Sequence, residues 1–386
     1  MANIKHSENG LSSSWNLVML IALLSLNTIT VAAEDTFPGI TQPILFPAFN
    51  PNAPLCSTPP GLTKTLASVQ ENEREFLQGV DNGLAMAAKD RGLAYRKVVV
   101  ENDADKAIRE IQAFRRDKVG ALVATSSDPR AVSSSLQQVI WSGAYVGTIV
   151  PSPATLLLNA PQYATGKALT DEAVAYIKSR LGGKATVVLL TQDMMQYLSP
   201  RFEAMRRGLE ELPDVTIVAD ITPNPVTKAG GFDAMNTVLL ANPDIDVVLG
   251  GDAVVLGALQ ALRAAGKDRP DQFLGGIDGE PEAVLELKKG DSPYKVSIAL
   301  SSPVFGYAMG QYGADWLEGK SIPQAMDILP SAITKGNIEQ YEADLKNPAA
   351  VFANPVRRAT YLKMYGNICY DTRAQYVNFP WSSEAK

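Results

Sequence analysis

The sequence predicts an α/β protein built as two doubly wound, parallel-sheet lobes. Three observations carry this expectation. Apolar runs of about 5–6 residues alternate with amphipathic stretches of roughly 12–18, the signature of parallel strands covered by helices on both faces. The alternation restarts near residue 165, so there are two series. The chain has 386 residues, 46% hydrophobic and 20% charged, which at roughly 100–200 residues per domain is enough for two cores.

The elements follow in order. Lys5 and His6 lead into the apolar stretch Leu17–Leu26, and Val31-Ala32-Ala33 ends it with small residues. This reads as a secretory leader cleaved near Ala33. It is too short to span a bilayer, which takes about 20 apolar residues. Ile44–Phe49 is the first short apolar run. A loop from Asn50 to about Lys64 follows, holding Cys56 and four prolines. Val69–Arg91 reads as a long helix, with Phe76, Val80, Leu84 and Ala88 on one face. Lys97–Val100 is a strand, 103–117 a helix and Gly120–Thr125 a strand. Asp128-Pro129 opens the next helix with a cap followed by proline. Tyr145–Val150 is a strand.

The second series begins with a helix over 165–181. Strand Thr186–Thr191 follows, then a helix over 199–212 capped by Ser199. Strands are expected at Val215–Asp220, Asp246–Gly250, Phe273–Asp278 and Lys295–Leu300. Between them lie helices before Asn242, from Asp252 and from Pro281, and a last helix covers Val304–Leu317.

Composition narrows the function. Net charge is −6 and pI about 5.1, which argues against a nucleic-acid partner, because phosphate binding needs a basic face. The only histidine is His6, inside the leader. The mature chain therefore has no Ser-His-Asp or Cys-His chemistry and no imidazole metal ligand. The two cysteines, Cys56 and Cys369, suggest one disulfide in an exported chain, tying the start of the fold to its tail. Two unpaired thiols are the alternative. Phosphate motifs fail. The lysine of Gly182-Gly-Lys-Ala-Thr186 is not followed by Ser or Thr, and Gly275–Gly279 lacks the dinucleotide spacing. No metal or cofactor is expected.

In open parallel sheets, ligands sit at the carboxyl ends of the strands. The polar residues expected there are Asn50, Thr125, Ser126, Gln192, Asp252 and Asp278, with Arg201 in the first turn of the helix after Gln192. Two acids, an arginine and neutral donors suit a small neutral polyhydroxy ligand, because carboxylates accept from hydroxyls and the guanidinium donates in a fixed fork. Phe76, Tyr197 and Trp141 are candidates for an apolar wall against a sugar ring. As alternatives, the acids cap helices, Phe76 is core, or the paired carboxylates hydrolyse a glycoside.

At this point the chain resembles the sugar-binding periplasmic proteins of ribose/galactose type, which serve ABC importers. Val247–Leu262 is similar to the family's strand, Asn-Asp pair and following helix. Phe273–Glu282 is similar to its G-F-D-G-x-P turn. Gly120–Thr125 with Asp128-Pro129 resembles its third strand and loop. The resemblance implies the type I periplasmic binding protein fold, two lobes joined by three crossing segments that close on a ligand. It implies an N-terminal lobe of 34–162 plus 301–326, and a C-terminal lobe of 163–300 plus 327–386 with an extended tail. It also implies a periplasmic monomer that binds a sugar or polyol, hands it to an ABC permease and is not an enzyme. Asp278 matches the acid that binds sugar hydroxyls, Arg201 the cleft arginine and Phe76 the stacking aromatic. Gly251, Val150-Pro151-Ser152 and Leu300 replace polar residues of the family, so a different pentose, a polyol or another small polar metabolite fits as well as ribose. A periplasmic sensor presenting its closed form to a membrane receptor shares the fold and ligand chemistry. The sugar-responsive repressors that share the fold carry a helix-turn-helix and no leader, the reverse of this chain.

Overall fold

The computed structural model describes residues 38–384 apart from 127, 150 and 151. The expected leader and its expected cleavage site near Ala33 lie outside the described residues.

The first strand is not the run at 44–49. It is β1 (Thr63–Gln70), whose last six residues are buried. β1 pairs in parallel with β2 (Ala94–Val99) and β3 (Val119–Ala124). The helix expected from Val69 therefore starts later, as α1 (Glu75–Asp90). The apolar spacing within α1 is helical, but extending its phase back to Val69 runs into β1. Residues 44–49 instead lie along the tail, where Ala48 bridges to Tyr365 and Trp381 Nε1 donates to the Ile44 carbonyl at 3.0 Å.

α2 (Ala104–Arg116) and α3 (Pro129–Trp141) follow with capping aspartates, Asp103 and Asp128. β4 (Tyr145–Thr148) and β5 (Leu156–Asn159) continue the sheet; β5 was not visible among the prolines at 151, 153 and 161. α9 (Ser302–Leu317) packs along α1. A Cβ on Gly83 would stand 2.2 Å from the Pro303 carbonyl oxygen, and one on Gly306 2.3 Å from that of Val80, so these glycines permit the close crossing.

The second lobe comprises α4 (Gln162–Arg180), β6 (Lys184–Leu190), α5 (Ser199–Glu210), β7 (Asp214–Ile221), α6 (Lys228–Ala241), β8 (Val247–Gly250), α7 (Asp252–Ala264), β9 (Phe273–Asp278), α8 (Pro281–Lys289) and β10 (Tyr294–Ala299). Leu198 occupies the cap position of α5, so Ser199 begins the helix rather than capping it. Alternate strand residues serve opposite faces. Val187, Leu189, Val247 and Leu249 join the core that continues into the first lobe, while Val188, Leu190, Val248 and Leu274 pack under α6, α7 and α8.

Past α9 the chain runs through β11 (Ala325–Ile328), β12 (Ser331–Ile333), α10 (Ile338–Lys346), α11 (Pro348–Ala353), α12 (Pro355–Arg358) and β13 (Leu362–Tyr365). The first sheet has the order β13-β11-β5-β4-β3-β1-β2, and the second β12-β10-β9-β8-β6-β7. Only the edge strands β12 and β13 are antiparallel. The chain passes between the sheets at residues 160–161, 300–301 and 329–330.

It then passes back. Ile338 and Tyr341 of α10 belong to the second core, but the tail from Leu362 lies in the first lobe, not the C-terminal lobe expected for all of 327–386. The reason is local: β13 pairs with β11, and the Cys56–Cys369 disulfide, 313 residues apart in sequence, fastens the tail to the proline-rich loop. Phe352 of α11 packs edge-on against Tyr307 and Tyr312 of α9. No helix among the described residues is long and apolar enough to cross a membrane.

Candidate functional site

The carboxyl ends of both sheets meet at the crossing segments, and the chemistry gathers there. On the second lobe, Asp278 ends β9 with φ of 122°, a left-handed conformation that a side-chain-bearing residue holds only when its surroundings impose it. No described residue donates a hydrogen bond to its carboxylate. Burial pushes its pKa up, and the Arg201 and Arg74 charges oppose that. Arg201, in the first turn of α5, is only 6% exposed. Its Nε donates to Gln162 Oε1 at 3.0 Å. Its Nη atoms have no hydrogen-bond acceptor among the described residues. Burial lowers the Arg201 pKa, and Asp278 partly restores it. Arg201 is buried and Asp278 half-buried; the two charges act on each other without an ion-pair contact within 4.0 Å, and their remaining valences are open.

Asp252 is different. It is 0% exposed, and both of its oxygens are occupied by the protein. Oδ1 accepts from Tyr294 Oη at 2.6 Å and Ser297 Oγ at 2.9 Å. Oδ2 accepts from Ser297 Oγ at 2.7 Å and the Glu280 N–H at 2.8 Å. Burial, then Asp278, push its pKa up to about 6. The sequence reading offered Asp252 as a ligand contact; its geometry is that of an internal strut holding the turn at 278–280. A Cβ on Gly276 would meet Asp252 Oδ1 at 1.9 Å, so glycine is needed to let the carboxylate pass.

Glu280 was not anticipated. It precedes Pro281 at the start of α8. Its pKa is pushed up to about 8 by burial, then by Asp278, Asp252 and Glu75, against Arg74. Tyr341 Oη donates to the Gly279 carbonyl at 3.1 Å, buttressing the same turn from α10.

The first lobe contributes the end of β1. Glu71 pairs with Arg74 at 3.1 Å, and Asn72 donates to Asn102 at 3.0 Å. Gln70 is buried with Oε1 unpaired. Phe76 lies half-buried in the first turn of α1, its ring 5.8 Å from that of Phe305. Tyr197 of the second lobe is exposed and lies within electrostatic reach of Glu71 and Arg74 of the first lobe and of Arg201. Gln192 points toward the space that Gly251 leaves, with Nε2 3.5 Å from where a Cβ there would stand.

Other expected positions fall elsewhere. Asn50 is exposed and pairs with Asn367 of the tail, because the strand it was thought to end is not a strand; Glu71 and Asn72 take that place. Trp141 ends α3, at the opposite end of the sheet, with the Arg373 guanidinium 5.7 Å from its ring centre. Thr125 and Ser126 sit at the end of β3 but are engaged locally. Thr125 Oγ1 accepts from the Glu71 N–H at 2.9 Å, and Ser126 Oγ turns onto Asp128. The one grouping of metal-type ligands among the described residues, Cys56, Cys369 and Asp371, has both sulfurs committed to the disulfide.

The arrangement offers hydrogen-bond acceptors and a fixed donor fork between two lobes, with aromatic rims. The ribose import binding protein of Bacillus subtilis is 25% identical over 67% of this chain and 83% of its own length. Among solved structures, a Bacillus halodurans solute-binding protein with bound myo-inositol superposes with a TM-score of 0.64 at 20% identity, covering 74% of this chain and 99% of that one. A Mycobacterium smegmatis protein in complex with β-D-fucofuranose gives 0.65 at 19%, covering 78% and 99%. The family model for the periplasmic binding protein domain matches residues 66–321. Its span begins inside β1, ends just past α9 and takes in both groups of strand ends. This chain belongs to the periplasmic binding protein family.

Proposed function

We propose that this chain is a periplasmic solute-binding protein that captures a small hydroxyl-rich molecule, a sugar or polyol, by closure of its two lobes and delivers it to an ABC importer without chemical change. The observation that carries this reading is the Asp278–Arg201 pair. Arg201 is buried and Asp278 half-buried; they face the gap between lobes and keep unused donor and acceptor valences, whereas neighbouring Asp252 has its valences filled. Alternating acceptors and donors are what a row of ligand hydroxyls satisfies. Phe76 and Tyr197 supply the apolar face, Gln192 and Arg74 further polar contacts. The ligands named for the relatives support the same class.

Closure follows from differential contact. A ligand bonded to both lobes favours the closed state only by its extra affinity for that state. The importer partner, the periplasmic location and a monomeric state belong to this proposal. The test is calorimetry and thermal melting of the purified protein across a panel of pentoses, hexoses and polyols. Saturable binding with unchanged ligand supports the reading. Product formation in the sample, or no response across the panel, overturns it.

A further inference from the structure

The geometry points to Glu384 as a positioning residue for solute binding: from the C-terminal tail it caps α4 and so holds Gln162, which fixes the Arg201 guanidinium at the cleft. This rests on the solute-binding reading of that cleft and adds the tail to its machinery.

α4 begins without a cap of its own. Pro161 stands at the cap position and makes no side-chain hydrogen bond there, and the first turn holds no acidic residue. The first N–H groups of a helix have no partner within it and carry partial positive charge. Glu384, 221 residues after Tyr163, supplies what is missing. Its Oε2 accepts from the Tyr163 N–H at 3.0 Å and its Oε1 from the Ala164 N–H at 2.7 Å.

The capped turn carries the support of the cleft arginine. Gln162 immediately precedes Tyr163, and its Oε1 accepts from Arg201 Nε at 3.0 Å, which leaves the Nη atoms for a solute. One turn on, a Cβ on Gly166 would stand 1.9 Å from the Arg201 carbonyl oxygen, so α4 and α5 touch at Arg201 itself. A guanidinium recognises its partners through a fixed fork. Fraying of the first turn of α4 frees Gln162 and, with it, the direction of that fork.

The tail is anchored well enough to act as a strap. Val377 exchanges backbone hydrogen bonds with Ala154 at 2.9 and 3.0 Å. Trp381 is buried, its ring 5.7 Å from that of Phe46 and 5.2 Å from that of Tyr365. These anchors belong to the first lobe and α4 to the second, so Glu384 reaches across the crossing at 160–161. It lies well past the span that the family model matches.

The experiment uses the full mature protein. In the solute-free state, nitrogen–proton NMR follows the Tyr163 and Ala164 amides and the Arg201 Nε–H, the last assigned by its loss in Arg201→Lys. Glu384→Ala is expected to speed solvent exchange of all three about tenfold, the worth of a helix cap. Glu384→Asp, which keeps the carboxylate, should restore most of the protection. Gln162→Ala should expose the Arg201 signal, and adding E384A to it should change that signal no further. Calorimetry with D-ribose, xylitol and myo-inositol then reads affinity. Whichever of these binds the wild type should bind E384A and Q162A about tenfold more weakly, and the double variant no more weakly than either. The inference fails if E384A leaves the two amides protected, if it frays them but leaves the Arg201 Nε–H protected, or if solute affinity is unchanged. Should E384A not fold, Glu384→Gln, which keeps the shape and one acceptor, carries the same comparisons. Silence from all three solutes counts against the solute-binding reading, while the exchange data still decide whether Glu384 positions Arg201.

Discussion

Asp252→Ala separates a strut from a ligand contact. The substitution strands three buried donors: Tyr294 Oη, Ser297 Oγ and the Glu280 N–H. Each costs about 1–3 kcal/mol when left unpaired, so the loss is roughly 6 kcal/mol. Against this, the variant no longer keeps a carboxylate charged in a site that moves its pKa from 3.8 to about 6. At about 1.4 kcal/mol per tenfold, that returns roughly 3 kcal/mol at neutral pH. The net destabilisation is about 3 kcal/mol. With an unfolding entropy of roughly 2.1 cal/mol/K per residue, that lowers Tm by about 4 °C. Thermal melting of the ligand-free protein is the assay, with affinity for any bound solute measured in parallel. Asp252→Ala melting with the wild type while losing its ligand would refute the strut and return Asp252 to the contact set.

Three further outcomes follow from the same geometry. Asp252 and Glu280 hold protons more tightly when folded, with pKa values of about 6 and 8 against 3.8 and 4.5, so their contribution is full at low pH and is lost as pH rises through that window. Glu286 opposes this in acid. Its own burial is outweighed by Arg263, Lys289 and Ser292, which hold it at about 2, so its contribution is lost as pH falls below 4.5. A Tm profile of the ligand-free protein should peak near pH 4 and fall from there to pH 8, and a rising Tm from pH 5 to 8 would contradict it. Reducing Cys56–Cys369 opens a closure of 313 residues, worth about 5–6 kcal/mol on the chain-entropy account; an unchanged Tm in reductant would show that the tail docks without it. Gly276→Ala places a Cβ 1.9 Å from Asp252 Oδ1 and 2.1 Å from Tyr294 Oη, so soluble yield should collapse, and a variant melting like the wild type would show that the turn repacks.

Much of the fold was legible because its strands are buried on both faces and its helices carry a clear stripe. Asp278 and Arg201 were singled out by the rule that ligands gather at strand ends, and the structure brings them within electrostatic reach of each other. The failures share one cause. β1 reads Thr-Lys-Thr-Leu-Ala-Ser-Val-Gln, with too few bulky residues to stand out from the helix after it. Misplacing it moved the first lobe's strand end from Glu71 and Asn72 to Asn50. The tail was misassigned because β13 pairs with β11, a long-range antiparallel contact that no local pattern announces. Asp252 was visible as an acid at a strand end, but whether an acid faces ligand or protein depends on Tyr294 and Ser297, which come from a strand about 45 residues later. Glu280 stood beside Asp278 in the sequence, and its lack of a counter-ion shows only in three dimensions.

The central claim is capture by closure, and small-angle X-ray scattering measures it directly. With a solute that calorimetry shows to bind, the account predicts a smaller radius of gyration and a shorter maximum dimension than for the free protein. Superimposable curves at saturating solute would contradict it.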